Sequence, residues 1–231
     1  MTAESFRERR DCRLCRGEQL RRVLTLEPTP LANEFLQPGD RSEELFPLYL
    51  AECLGCGHVQ LPVVVDPTRL FHNYVYVSGT SAQFRGHLES AARALVATHG
   101  LAPGDGVVEI GSNDGTMLRE FQRLGCHVLG VDPAEKIANA ARESGVPTIC
   151  DFFTPELAEQ ILAMSTARPK LVVANNVFAH ADDLEGIVRG VKTLLPDGGA
   201  FVFEVQYVVD MVQRGLFDMC YHEHLSYHSV G

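Results

Sequence analysis

The chain has 231 residues, 45% of them hydrophobic, with 30 acidic against 20 basic side chains and a formal net charge of −10. That length supports one sizeable core plus a small satellite domain, and an acidic balance argues against a nucleic-acid-binding surface. No apolar run approaches the roughly 20 residues a membrane span needs, and the charged N-terminus, Met1-Thr2-Ala3-Glu4-Ser5-Phe6-Arg7-Glu8, lacks a signal-peptide core, so a cytoplasmic protein with no membrane partner is expected.

The first basic cluster, Arg7, Arg9, Arg10, Arg13, Arg16, Arg21 and Arg22, is interrupted by Glu8, Asp11 and Glu18 and reads as a solvated face. Within it lies Cys12-x-x-Cys15, matched further on by Cys53-x-x-Cys56. Each pair sets two thiolates on one tight turn, and two such turns close a tetrahedral structural zinc site with no open coordination position. In a chain read as cytoplasmic, disulfides are the weaker explanation. Gly55, Gly57 and His58 suit a knuckle turn, while Pro28, Pro30, Pro38, Gly39 and Pro47 make the intervening segment read as irregular loop. Leu61–Pro67 reads as a connection, followed by an aromatic segment from Phe71 to Ser78 that includes Asn73 and Tyr76. The zinc ribbon is thus placed at residues 1–72 and a second domain at 73–231.

Apolar residues at helical spacing (Phe84, Leu88, Ala91, Ala92, Leu95) predict a helix from Ser81 to about His99, closed by Gly100. Strands are predicted near 106–110, 127–131, 146–149, 171–175 and 200–205, alternating with helices near 115–124, 134–143, 155–164 and 183–194. Such alternation implies an α/β fold with a mostly parallel sheet wound in right-handed crossovers. Cys126, Cys150 and Cys220 stand alone and read as core or pocket-wall thiols.

The first strand of that series runs into Glu109-Ile110-Gly111-Ser112-Asn113-Asp114-Gly115. A strand, a glycine turn and a helix bring backbone N–H groups to a ligand. The second strand ends in Asp132, placed to grip a ribose diol. The three-glycine dinucleotide fingerprint is absent, since Asn113 stands where its middle glycine belongs. The pattern E-x-G-x-x-x-G followed by V-D-P instead resembles the S-adenosylmethionine site of class I methyltransferases, a Rossmann-like fold. That resemblance implies that Gly111 and Gly115 shape the methionine-side turn beside Glu109, and that Ser112 and Asn113 bond the carboxylate end. It also implies that Asp132 takes the ribose, that Asp151 and Phe152 receive the adenine, and that Asn175 and Val177 lie under the cofactor. Leu195-Pro196-Asp197-Gly198-Gly199 resembles the turn that precedes the fifth strand of such enzymes.

Three further stretches, Tyr74-Val75-Tyr76-Val77-Ser78, Phe203-Glu204-Val205-Gln206-Tyr207 and Tyr221-His222-Glu223-His224-Leu225-Ser226-Tyr227, join the two CxxC pairs to give a second, narrower resemblance. From Cys12 to Tyr227 the chain resembles S-adenosylmethionine-dependent C-methyltransferases that act at C3 of nucleotide-linked 4-keto deoxysugars for natural-product glycosylation. The family's last strands and C-terminal region are expected to be missing here. The resemblance implies His224 as the base at C3, Tyr221 and His180 as partners of the C4 carbonyl, Glu223 as a partner of His224 or of a sugar hydroxyl, and Tyr76 reaching toward methyl donor or substrate. Deprotonation beside a ketone needs a base over the C–H bond and a donor at the developing oxyanion, which imidazole and phenol supply. Two competing readings are a zinc-ribbon methyltransferase for another small molecule or RNA, and a truncated S-adenosylmethionine-binding protein without activity. A metal site in His222, Glu223, His224 and His228 is disfavoured because the order does not match H-E-x-x-H. Oligomeric state is left open.

Overall fold

The computed structural model describes residues 5–36, 39, 44–72 and 74–230. Of the residues singled out above, Met1 to Glu4, Pro38 and Asn73 lie outside that set. In chain order the elements are β1 (Phe6–Glu8), β2 (Leu20–Thr29), β3 (Phe46–Cys53), β4 (Val59–Gln60), β5 (Val63–Val65), α1 (Pro67–Phe71), α2 (Ala82–His99), β6 (Gly106–Ile110), α3 (Thr116–Arg123), β7 (His127–Val131) and α4 (Glu135–Glu143). They continue with β8 (Thr148–Ile149), α5 (Pro155–Met164), β9 (Leu171–Asn175), α6 (Leu184–Leu194), β10 (Ala200–Glu204), α7 (Val208–Arg214) and β11 (Ser226–Tyr227).

Two compact units divide the chain, and neither is contiguous in sequence. One holds Met1–Phe71, Phe178–Leu184 and Val205–Gly231; the other holds His72–Val177 and Glu185–Glu204. The sequence division after residue 72 therefore follows chain order, whereas two later segments pack with the first 71 residues.

In the second unit the strands lie in the order β10-β9-β6-β7-β8, and every pairing is parallel. The first four residues of β9 are all buried, as expected for a strand covered on both faces. Leu88 and Ala92 of α2, Met117, Leu118 and Phe121 of α3, and Val107, Leu171 and Val173 of the sheet form its core. Local signals set the helix ends. Ser81 caps α2 by accepting from the Phe84 N–H, and Gly100 closes it with φ +59°. Thr154 caps α5, with Pro155 at the first position of the helix. The strand order reverses between β7-β6 and β6-β9, and the crevice at such a switch point is where open α/β sheets bind ligands.

The first unit differs from the sequence expectation. The segment between the CxxC pairs, read as irregular loop, contains β2 and β3, the long strands of an antiparallel sheet ordered β11-β4-β3-β2. β2 lies at the edge, which tolerates Pro28, and its register shifts between Arg22 and Leu24 and between Leu26 and Thr29. None of its residues is fully buried, and Arg21, Arg22 and Val23 are exposed in succession, which hides the alternation that would have marked it. Val63–Val65, read as part of a connection, pairs antiparallel with β1. Leu48, Leu50, Leu61, Val63, Met211 and Tyr227 are among the residues of this unit's core.

Candidate cofactor, catalytic and metal sites

In the second unit the turn after β6 is held open by glycine. Gly111 has φ +67°, and a Cβ there would fall 2.2 Å from Val177 Cγ2. Its N–H and that of Ser112 donate to the Val131 carbonyl at 2.7 and 3.2 Å, so the turn is tied to the end of β7. Gly115, φ +74°, starts α3. Asp132 is buried; its Oδ2 accepts from the Asn113 N–H and its Oδ1 from the Ala134 N–H, both at 2.9 Å. Burial raises its pKa, with the two backbone donors opposing.

Glu109 is the most perturbed group of this turn. Burial pushes its carboxyl up to about 8, the Asn175 amide opposes this, and Asp132 and Asp114 add to it. Asn175 Nδ2 approaches its Oε1 at 3.4 Å, and its Oε2 has no hydrogen-bond partner among the described residues. An orphaned buried oxygen beside a turn that only glycine fits is the arrangement a polar ligand completes.

Asn113, φ +50°, spends its side chain on the aromatic segment: Nδ2 donates to the Tyr76 carbonyl at 3.0 Å and Oδ1 accepts from the Ser78 N–H at 2.8 Å. Ser112 Oγ is buried without a hydrogen-bond partner among the described residues, and a Cβ on Gly130 would fall 2.3 Å from it, so it faces β7. Asp151 is exposed and accepts from the Phe152 N–H; the Phe152 ring lies 6.3 Å from that of His72. Tyr76 is 45% exposed and packs edge-on against Phe84.

In the first unit the H-E-H run divides its side chains between two surroundings. His222 is buried against Phe46, and its Nε2 bonds the Pro47 carbonyl at 3.2 Å. His224 faces the other way: its ring lies 4.0 Å from that of Tyr221 and stacks on His180 at 5.1 Å. Its Nδ1 bonds the Met219 carbonyl at 2.8 Å. A carbonyl only accepts, so the proton sits on Nδ1 and Nε2 is left as a bare base. Burial lowers the pKa of His224, with the Met219 carbonyl opposing, and lowers that of His180 to about 3, with repulsion from His224 adding to it. Both imidazoles are therefore neutral near pH 7. Burial and the Glu223 charge push Tyr221 up to about 12, so it stays a phenol. Glu223 is buried and accepts from Asn33 Nδ2 at 2.6 Å. A cavity of about 450 Å³ opens beside Tyr221, with Leu31, Phe35, Leu48 and Cys220 among its walls. Cys126 and Cys220 are buried as expected, whereas Cys150 is exposed.

The four knuckle cysteines converge. Their Sγ atoms all lie within 4.8 Å of one another, with Cys12–Cys56 at 3.7 Å and Cys15–Cys53 at 3.5 Å. A zinc ion bonded at about 2.3 Å to four sulfurs sets tetrahedron edges of about 3.8 Å, so the donor set fits. Among the described residues this is the group of three or more possible ligands that gathers.

Five of the seven arginines of the basic cluster, Arg7, Arg10, Arg16, Arg21 and Arg22, are exposed as a solvated face requires, and Arg9 and Arg13 are not. Arg7, Arg9 and Arg13 all engage Asp182, and the last two have side chains only 8% and 0% exposed. Nothing in the local sequence marks this, because Asp182 lies far along the chain.

Comparison with known proteins agrees with these features. A zinc binding domain family matches residues 12–71, and a methyltransferase domain family matches residues 84–230. The chain belongs to the methyltransferase domain family, with the fold of class I S-adenosylmethionine methyltransferases and a four-cysteine cluster that fits zinc. Among individual proteins it is similar to C-methyltransferase NovU from Streptomyces niveus, 38% identical over 223 residues that cover 96% of this chain and 53% of the relative. A ubiquinone biosynthesis O-methyltransferase from Methylobacterium sp. (strain 4-46) is 30% identical over 131 residues, 48% of this chain and 51% of that one. The chain thus spans about half the length of the curated relatives it matches. Among solved structures, the PH0226 protein from Pyrococcus horikoshii OT3 aligns with TM-score 0.47 and 18% identity over 64% of this chain and 63% of that one. No helix of the described residues is long and apolar enough to cross a membrane.

Proposed function

We propose that this chain is the cofactor-binding and proton-abstracting part of a C-methyltransferase that acts at C3 of a nucleotide-linked 4-keto deoxysugar in the cytoplasm. The observation that carries the reading is the state of His224: its Nδ1 is committed to the Met219 carbonyl, which leaves Nε2 as the basic nitrogen, and its ring packs against the rings of Tyr221 and His180. Transfer to oxygen or nitrogen does not call for such a base beside an oxyanion donor. The C-methyltransferase named above supports carbon as the acceptor, and the cavity beside Tyr221 offers room for a sugar.

In this reading His224 Nε2 takes the C3 proton as the C–H electron pair moves between C3 and C4 and the carbonyl becomes an enolate oxygen. Tyr221, held protonated, donates to that oxygen, and His180 bounds it on the other side. S-adenosylmethionine, when bound, would supply an electrophilic methyl group to C3, the S–CH3 electron pair leaving with S-adenosylhomocysteine as the C4 carbonyl re-forms. Glu109, Gly111, Ser112, Asn113, Gly115, Asp132, Asp151, Phe152, Asn175 and Val177 form the cofactor surface, and Asp132 receives the ribose. Glu223, held by Asn33, keeps the loop that carries His224 in place. Tyr76 reaches toward the methyl donor, and the partner is a small molecule rather than a nucleic acid.

His224→Ala is expected to lower kcat by about 10²–10⁴-fold while leaving S-adenosylhomocysteine affinity unchanged. In the native enzyme the acid limb of kcat should lie below the ordinary imidazole pKa, because protonation removes the base and burial lowers its pKa. A His224→Ala enzyme that methylates C3 at the native rate rules the assignment out.

A further inference from the structure

Arg13 sits inside the first cysteine knuckle, between Cys12 and Cys15, with no side-chain exposure. Its backbone N–H donates to Gln60 Oε1 at 2.8 Å. Its guanidinium is spent in three directions: Nε donates to Asp182 Oδ1 at 2.9 Å, Nη1 to the Leu225 carbonyl at 2.8 Å, and Nη2 to the Leu61 carbonyl at 2.9 Å. Two of these acceptors belong to the segments that carry the histidine pair. Leu225 directly follows His224, and Asp182 lies two residues beyond His180. The Leu225 N–H in turn donates to the Ala179 carbonyl at 3.0 Å, so the two segments are also bonded to each other. Leu61 closes the same ring of contacts, because its N–H donates to the Leu225 carbonyl at 3.0 Å.

A buried guanidinium is tolerated only where its donors are met and its charge is paired. Here the planar fork also fixes direction: three acceptors from three separate stretches of chain must lie in the plane that the knuckle presents. A lysine at this position would keep the charge and lose the plane. The first knuckle is closed by the Cys12 N–H on the Gly17 carbonyl at 2.8 Å and the Arg16 N–H on the Cys12 carbonyl at 3.0 Å, and a metal joining Cys12 and Cys15 to Cys53 and Cys56 would add its bond energy to those two contacts in holding the turn.

We propose that Arg13 is a positioning residue that carries the metal-held shape of the first knuckle to the His180–His224 pair, so that the order of the two histidine segments depends on zinc. The cysteine cluster then acts on the reaction without touching the substrate. The consequence for catalysis rests on the proton-abstraction reading above; the structural coupling does not.

The test is hydrogen–deuterium exchange of the full chain, read by mass spectrometry without substrate, on zinc-loaded native protein, on Arg13→Met and Arg13→Lys, and on native protein treated with a chelator. Arg13→Met should retain one zinc per chain and native S-adenosylhomocysteine affinity. In that variant, exchange in peptides covering residues 178–184 and 220–228 should rise about tenfold, with peptides covering 106–132 unchanged. Chelation should produce the same local pattern. Arg13→Lys should fall between native protein and Arg13→Met in exchange, and its kcat should drop with KM for S-adenosylmethionine unchanged. If Arg13→Met does not fold, Arg13→Lys and chelation decide the matter by the same readout. Unchanged exchange in the two segments after substitution or after zinc removal overturns the proposal, as does a rise spread evenly through the chain. Failure of the native enzyme to exchange the C3 proton of a keto sugar would instead overturn the functional reading and leave the coupling standing.

Discussion

Glu109 shows how far burial, with the charges of Asp132 and Asp114 adding to it, can tune one residue. Its carboxyl titrates near 8 rather than near 4.5, so in the folded protein it holds a proton through a range where the unfolded chain has lost it. A raised carboxyl pKa stabilises the fold fully below the unfolded value and loses that contribution as pH rises through the folded one. Apo protein should therefore lose stability between about pH 4.5 and pH 8, by up to a few kcal/mol from this group. Glu109→Gln should flatten that slope, which chemical denaturation at pH 5 and pH 8 would measure; an unaltered slope contradicts the burial argument. The buried carboxylate was visible in the sequence as the residue before Ile110 and Gly111, but its protonation was not, because that depends on the walls supplied by β7 and β9.

At the scale of elements, the parallel sheet was almost fully legible. Its strands are short apolar runs, β6 lying between Asp105 and Gly111 and β7 followed by Asp132, and the helices between them carry apolar faces. Strands β6, β7 and β9 fall where periodicity predicts, and β10 ends one residue early. β8 is shorter than expected because only Thr148 and Ile149 pair with β7. The antiparallel sheet was harder to read: β2 is an edge strand whose alternation is confined to Leu24–Glu27, between an exposed run at Arg21–Val23 and two register shifts. The candidate catalytic segment was legible as a motif but not in its division of labour, since only packing shows that His222 faces Phe46 while His224 faces Tyr221. The strap from Tyr76 to Ser78 is a further case. The Asn113 side-chain amide holds it at two points. Asn113→Gly keeps the left-handed backbone and removes both bonds. It should raise KM for S-adenosylmethionine by about tenfold, equivalent to about 1.4 kcal/mol, in steady-state assays with kcat little changed. An unchanged KM would mean that the strap plays no part in cofactor binding.

For the whole molecule, two units with separate cores assemble from interleaved stretches of one chain. Their chemistry is distinct: one holds the glycine turn and the buried acids, the other the cysteine cluster and the histidine pair. A net charge of −10 says little about either, because the basic residues that carry structural weight are folded onto Asp182. Binding to one site should be readable in overall stability. S-adenosylhomocysteine at 100 times its Kd should stabilise the folded protein by about 2.7 kcal/mol, and thermal unfolding with and without it checks this. No shift in a well-folded, zinc-loaded sample would contradict the cofactor assignment.

The central claim is that His224 removes a proton from carbon next to a ketone. Incubation of a nucleotide-linked 4-keto deoxysugar in deuterated water with S-adenosylhomocysteine in place of the methyl donor isolates that step. One deuterium at C3 of the recovered sugar is expected with native enzyme, and none above background with His224→Ala. Retention of the C3 proton by native enzyme that methylates the same sugar would contradict the claim.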